Sequence, residues 1–279
     1  MKWRFTGSTA SCQTPMLPDA GGSAAPLLTE LDQAGMLRLR AAIGETPETL
    51  MSLEHLRRGL CRAWVLGPLD DPLASAVQPA AFLGDVSAYG NDAQAIFALL
   101  RQLEGWEAAD VAVDQARPIA EWLGWATRRP VIFSREHFFT LDVPSSSLPN
   151  PAVRMLGETD LSLLEAATEP LGMSDWRLGS AGTLLTEGMA AGAIIDGALL
   201  AVAFTAALGE RYVDVGIVTH EARRGQGLAT STAALVCAAI QAGGRTPVWG
   251  TSDENLSSQR VAAKLGFQAV TQRVYLNLG

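Results

Sequence analysis

The chain has 279 residues, of which 48% are hydrophobic and 18% charged, with a formal net charge of −8. This composition excludes a disordered, solvating polypeptide, and the length suits one large or two modest globular domains. The negative balance argues against non-specific nucleic-acid binding and suits a host for cationic amines.

Residues 1–26 are rich in glycine, proline, serine and alanine and read as a flexible tail. The start Met1-Lys-Trp-Arg4 is basic, but no long apolar region follows, so no signal peptide is expected. An N-terminal α/β domain is expected over residues 27–141. Thr29–Ile43 places Leu31, Met36, Leu39 and Ile43 near helical spacing, and Pro47–Arg58 reads as a second helix capped by Thr46. Arg62–Leu66 reads as a strand, residues 67–72 as a turn and Ala80–Leu83 as a short strand. Residues 84–90 read as a glycine-bearing turn, Asp92–Leu103 as a helix, Ala109–Val113 as a strand and Gln115–Leu123 as a helix. Pro130–Phe133 and His137–Leu141 are further strands. Such alternation implies a layered α/β domain.

Residues 142–152 hold three prolines and three serines and read as a linker. In the second domain, 153–279, Thr159 or Asp160 caps a helix bearing Leu161 and Leu164. Gly192–Ile195 and Ala198–Thr205 flank Asp196-Gly197, a hairpin signal. The most apolar run, residues 197–208, falls short of the roughly 18 residues that a membrane span requires. A turn at Gly209-Glu210 leads into the strand Tyr212–Thr219, and the helix from Leu228 ends at Gly243-Gly244. Pro247–Thr251 is a strand, Asp253–Asn255 a cap, Leu256–Leu265 a helix closed by Gly266, and Val270–Leu276 a final strand. Cys12, Cys61 and Cys237 are scattered, which suggests reduced thiols in a cytoplasmic setting. His55, His137 and His220 do not cluster, and no metal site is expected.

The informative stretch is Ile217-Val-Thr-His-Glu-Ala-Arg-Arg-Gly-Gln-Gly-Leu-Ala-Thr230. A buried strand runs through a glycine-bearing turn into a helix N-terminus. Glycine lets backbone approach a ligand closely, and successive amides at a helix N-terminus suit phosphate oxygens. There is no Gly-x-x-x-x-Gly-Lys-Ser/Thr and no Gly-x-Gly-x-x-Gly, so neither nucleotide fingerprint is present.

The spacing Arg224-x-x-Gly227-x-Ala229 resembles the pyrophosphate loop of the GNAT acetyltransferase superfamily. Downstream, Asn255-x-x-Ser258 and Ala263-Lys-Leu-Gly-Phe267 resemble that superfamily's second cofactor element. The strand Asp214-Val-Gly-Ile-Val-Thr219 and Trp249 are most similar to the zwittermicin-A-resistance-like subgroup. The likeness covers roughly residues 150–279. It implies a C-terminal GNAT fold, with a mixed, mostly antiparallel central sheet flanked by helices, behind a smaller α/β domain that is a degenerate GNAT-like half.

The resemblance also implies an acetyl-CoA-dependent N-acetyltransferase acting on a primary amine of a small molecule, with direct attack on the thioester. Its cofactor contacts map to Ile217, Val218, Thr219, Arg224, Gly225, Gln226, Gly227, Leu228, Ala229, Thr230, Asn255 and Ser258. The family's usual tyrosine falls at Ala262, which leaves the general acid open; Tyr275 or a water is a substitute. Asp214 is the candidate base, with a paired or solvated strand carboxylate as the alternative. An acyl-CoA-binding sensor without turnover is the competing reading.

Overall fold

The computed structural model describes residues 27–145, 148–173 and 176–279. The expected tail lies outside the described residues, as do residues 146–147 of the expected linker. Among the described residues, twelve strands form one mixed, mostly antiparallel sheet with helices on both faces, the expected fold class. The strands are β1 (Leu28–Glu30), β2 (Cys61–Leu66), β3 (Ala74–Pro79), β4 (Asp85–Gly90), β5 (Ala108–Ala112) and β6 (Val131–Thr140). They continue with β7 (Val153–Leu156), β8 (Ala190–Ile195), β9 (Ala198–Leu208), β10 (Tyr212–Thr219), β11 (Thr246–Ser252) and β12 (Gln268–Leu278). The helices are α1 (Gln33–Ile43), α2 (Leu50–Arg58), α3 (Ala93–Leu100), α4 (Val113–Thr127), α5 (Leu161–Ala167), α6 (Ala181–Glu187), α7 (Leu228–Ala242) and α8 (Leu256–Leu265). No described helix is long and apolar enough to cross a membrane.

The sheet order is β1-β2-β3-β4-β5-β12-β6-β11-β10-β9-β8-β7. Each half ends by giving its last strand away. Strand β6, from the first half, pairs with β11; β12, from the second half, pairs with β5; and β6 and β12 pair with each other along ten residues. Only β4–β5 and β10–β11 are parallel pairs. The two halves therefore repeat one plan, four antiparallel strands followed by a parallel neighbour, joined through exchanged strands.

Strand alternation sorts the faces. Val213 and Val215 join Trp249, Phe267 and the apolar side of α7 in one core, and Leu66, Ala76 and Val111 join α3 and α4 in another. The opposite face packs α1 and α2 over β2 and β3, and α5 and α6 over β8 and β9. Cys61 and Cys237 are buried within these cores, and burial pushes both thiols up to about 12, so they pack as apolar groups.

Several element boundaries differ from expectation. Thr29 lies in β1, and α1 starts after Asp32, whose carboxylate accepts the Gly35 amide at 2.8 Å. Residues 47–49 form a turn, so α2 begins at Leu50 rather than at Pro47, with Thr49 and not Thr46 at the cap position. The strand expected at Ala80–Leu83 is a turn with Phe82 and Leu83 exposed, while the strand itself is Ala74–Pro79. Its small side chains are buried on both faces, a pattern with little β-propensity to read. Residues 85–90 are strand β4, and 131–140 form one strand instead of two.

One carboxylate ties the halves together. Glu45 accepts the amides of Glu210, Arg211 and Tyr212 at 2.8–2.9 Å, fixing the turn between β9 and β10. Glu45→Ala is expected to cost about 1–2 kcal/mol in urea unfolding, since water can replace part of what is lost at this rim. An unchanged midpoint would mean the clasp carries no net stability.

Candidate active site

Strands β10 and β11 pair in parallel only over Tyr212–Asp214 and Thr246–Val248. Beyond that point β10 stays on β9 as far as Thr219, and β11 stays on β6 as far as Ser252. The two strands fork. The edge of β10 over Val215–Thr219 that faces the fork therefore has no strand partner. A register shift between Asp214 and Val215 marks the branching point, and a bulge there adds local twist. Gly216 is required opposite Phe204, because a Cβ at that position would lie 2.6 Å from the Phe204 ring.

Because the strands are parallel, α7 and α8 both start at the open end of the fork. Between β10 and α7, His220 accepts the Ala222 amide through Nδ1, and a short 3-10 turn covers Glu221–Arg223. The Arg224 amide closes that turn on Glu221 O, and the next backbone amide bonded to a carbonyl is Ser231, which donates to Gly227 O at 3.1 Å. The amides of residues 225–230 are thus left without a backbone acceptor. Gly225 and Gly227 hold φ of +78° and +81°, which glycine adopts freely, and an added Cβ at either would meet nothing within 4 Å. Arg224–Gly227 are exposed, so this row of donors faces open space at a helix N-terminus.

A cavity of about 590 Å³ runs along the fork, from Asp214 at its branching point to Asn255 and Ser258 at the start of α8. Asp214, Ile217, Asn255, Ser258 and Tyr275, five of the residues picked from sequence, line it. Val218, Thr219 and residues 224–230 do not line it; they belong to the fork and its mouth. The cavity draws on both halves: Glu48, Asp85, Asp110 and Glu136 line it beside Asp214. At its wall, the Arg177 guanidinium of the second half stacks 4.6 Å from the Phe82 ring of the first.

Burial sets the electrostatics. It raises the Asp214 carboxyl to about 6, against the pull of Arg177 and of the Val215 and Gly250 amides. Glu136 is raised further, to about 7, by burial and then by the charges of Asp110 and Asp214. Tyr275 is also raised, chiefly by burial, so its hydroxyl keeps its proton. Sequence reasoning missed Glu136, because nothing local separates it from any other strand carboxylate.

On α8, Asn255 Oδ1 accepts the Ser258 amide at 3.1 Å and the Ser257 hydroxyl at 2.8 Å, an N-cap. Ser258 Oγ accepts the indole N–H of Trp249 at 2.9 Å, and Trp249 meets the Phe267 ring edge-on. These two residues shape the β11 arm of the fork as well as lining the cavity. Ala262 is fully buried in the cluster around Trp249, Leu265 and Phe267.

The first half has a matching fork between β4 and β5, and it is bolted shut. Arg273 of β12 donates from Nε to Asp110 Oδ2 at 2.7 Å and from Nη2 to Ala88 O and Asp110 O at 2.8 and 3.0 Å. Its guanidinium lies 4.7 Å from the Tyr89 ring centre, and Gln115 Nε2 donates to Gly90 O. The loop into α3 is only two residues long, and the Asp92 carboxylate caps that helix by accepting the Gln94 amide. A carboxylate already occupies the place an anion would take.

A family model described as GNAT acetyltransferase matches residues 170–275. No curated protein matches the chain. Among solved structures, the fold resembles an acetyltransferase from the GNAT family of Colwellia psychrerythraea, at 15% identity and a TM-score of 0.63, covering 91% of this chain and 100% of that one. It also resembles a GCN5-related N-acetyltransferase-like protein from Streptococcus suis, at 18% identity and 0.63, covering 88% and 99%. A third is a tandem GNAT protein from the clavulanic acid biosynthesis pathway, at 14% identity and 0.54, covering 90% and 97%. At such identities the likeness is one of fold.

Proposed function

We propose that the protein, whose residues 170–275 match the GNAT acetyltransferase model, moves the acetyl group of acetyl-CoA onto a primary amine of a small molecule. The observation that carries this reading is the row of unbonded amides at residues 225–230, set at the mouth of an open strand fork. Acetyl-CoA, when bound, supplies an acetyl group activated as a thioester. The amides of Gly225–Thr230 and the charge of Arg224 fit its diphosphate. The free edge at Ile217, Val218 and Thr219 offers alternating donors and acceptors to an extended arm, as an added strand would. Asn255 and Ser258 close the fork from the α8 side.

The acidic cavity suits an acceptor that arrives as an ammonium ion. Asp214, ionised near neutral pH, faces it there, and the protonated Tyr275 hydroxyl lines the same cavity. Holding both reactants in one cavity supplies proximity, a large share of such a rate enhancement. The strand Asp214–Thr219 and Trp249 support placing the domain nearest the zwittermicin-A-resistance-like subgroup. The cysteine pattern supports a cytoplasmic setting.

The test is release of free thiol from acetyl-CoA across a panel of small primary amines. Amine-dependent release supports the proposal. Tight acetyl-CoA binding with no release from any amine would instead support the sensor reading, which Ala262 at the usual tyrosine position favours. Calorimetry is expected to give one acetyl-CoA per chain. Two sites would show that the Arg273–Asp110 bolt and the Asp92 cap do not close the first fork.

A further inference from the structure

The cavity takes one of its buried carboxyls, Glu136, from the other half of the chain. Glu136 sits on β6, which belongs to the first half by sequence but lies between β11 and β12 in the sheet. Register puts Glu136 opposite Ser252 on β11 and Arg273 on β12, and puts Ser134 opposite Tyr275. Glu136 and Tyr275 therefore share the cavity face as a diagonal cross-strand pair, within reach of a hydrogen bond. A Cβ on Gly250 would lie 3.4 Å from Glu136 Oε1, so the carboxyl rests against bare backbone of the β11 arm. That is two residues past Val248, where β11 parts from β10.

We infer that Glu136 is the group that takes the proton from the acceptor's ammonium, with Tyr275 as the residue that positions it. The inference rests on the acetyltransferase reading above. The groups that act most on this carboxyl are Asp110 from β5, Asp214 from β10, and Tyr275 and Arg273 from β12, with Glu48, Asp85 and Arg177 on the same cavity. The Arg273 charge favours its anion but is outweighed by burial and by Asp110 and Asp214, and its Nε and Nη2 bond to Asp110 and Ala88. Asp214 has a different environment, with the amides of Val215 and Gly250 and the Arg177 charge all favouring its anion. The division follows: Asp214 stays charged and holds the ammonium, and Glu136 exchanges the proton.

The step balances. The ammonium gives one proton to Glu136, and the nitrogen lone pair forms the C–N bond as the C–S bond breaks. The second amine proton goes to the leaving sulfur. A base that titrates near the working pH is the efficient choice for such a transfer. The exchange of β6 between halves then has a chemical consequence: the first half, whose own fork Arg273 bridges, completes the second half's site.

Glu136→Gln keeps the shape and a polar group facing Tyr275. With the amine of the panel that gives the fastest thiol release, kcat/KM is expected to fall about 10²–10⁴-fold while acetyl-CoA affinity is unchanged. Wild-type activity should rise with pH through about 7 as Glu136 deprotonates, and the variant should lose that rise. Tyr275→Phe removes a hydroxyl that favours the anion, so it should move the rise to higher pH, which a merely structural tyrosine would not do. A second readout needs no amine. Native Glu136 holds its proton to higher pH than the unfolded chain does, so wild-type stability falls between about pH 4.5 and 7. The melting temperature of Glu136→Gln should therefore gain on wild type from pH 5 to pH 8. A variant within threefold of wild type with the same pH rise, or a melting gap that stays constant with pH, would overturn the assignment. Acetyl-CoA binding with no thiol release in the wild type, combined with the widening melting gap, would fault the acetyltransferase reading and remove the role for Glu136 with it.

Discussion

Gly227→Asp is expected to weaken acetyl-CoA binding at least 100-fold in titration calorimetry while the protein still folds. Gly227 caps α7 at φ +81°, in the left-handed region, where a side chain costs roughly 1 kcal/mol. Nothing lies within 4 Å of the Cβ that would be added, so the new side chain meets no protein atom. It enters the space in front of the free amides, and its carboxylate competes there for the donors proposed to hold the diphosphate. Like charges about 4 Å apart in a partly screened site repel by about 4 kcal/mol. Because 1.4 kcal/mol is one decade in affinity, the repulsion alone exceeds two decades, while the strain acts on folding. Gly227→Ala separates the terms, since it keeps the strain and adds no charge; a loss of about tenfold or less is expected. Unchanged affinity in a well-folded Gly227→Asp protein would remove the ground for placing the diphosphate at this loop.

The second half was more legible than the first because its signals are local. Asp196-Gly197 announces a hairpin through residues that adopt positive φ, and both do so, at +52° and +78°. The loop before α7 is likewise a sequence of neighbours, and one window contains its arginine, its glycines and the helix they cap. In the first half, β3 is Ala-Ser-Ala-Val-Gln-Pro, a central strand without the bulky residues that mark one. The apolar Ala80-Ala-Phe-Leu83 looked like a strand, but Phe82 spends its ring on Arg177 across the junction. The proposed site divides in the same way. Asp214 could be picked because it borders the recognisable strand. Glu136 could not, because its partners come from β5, β10 and β12, strands remote from it in sequence that only the exchange of β6 and β12 brings together.

That exchange leaves a stability signature. Arg273→Ala is expected to destabilise the protein by about 3–5 kcal/mol, a fall in melting temperature on the order of 10 °C. Arg273 and Asp110 are both buried, with side chains 7% and 8% exposed. Truncating the arginine strands a carboxylate in the sheet and unpairs Ala88 O and Asp110 O, which the same guanidinium bridges across the first fork. The cost comes mainly from the group left behind, which a paired replacement can test. Arg273→Met with Asp110→Leu removes both charges and fills much of the space, so the double variant should melt above either single one. Its acetyl-CoA affinity should also be retained, because the second fork does not depend on this pair. If the single and double variants melt alike, the pair is not a closed electrostatic unit. If Arg273→Ala instead gains a second acetyl-CoA site without losing stability, the guanidinium serves as a stopper in a fork otherwise competent to bind, and the two halves differ by far less than Asp92 and the two-residue loop into α3 imply.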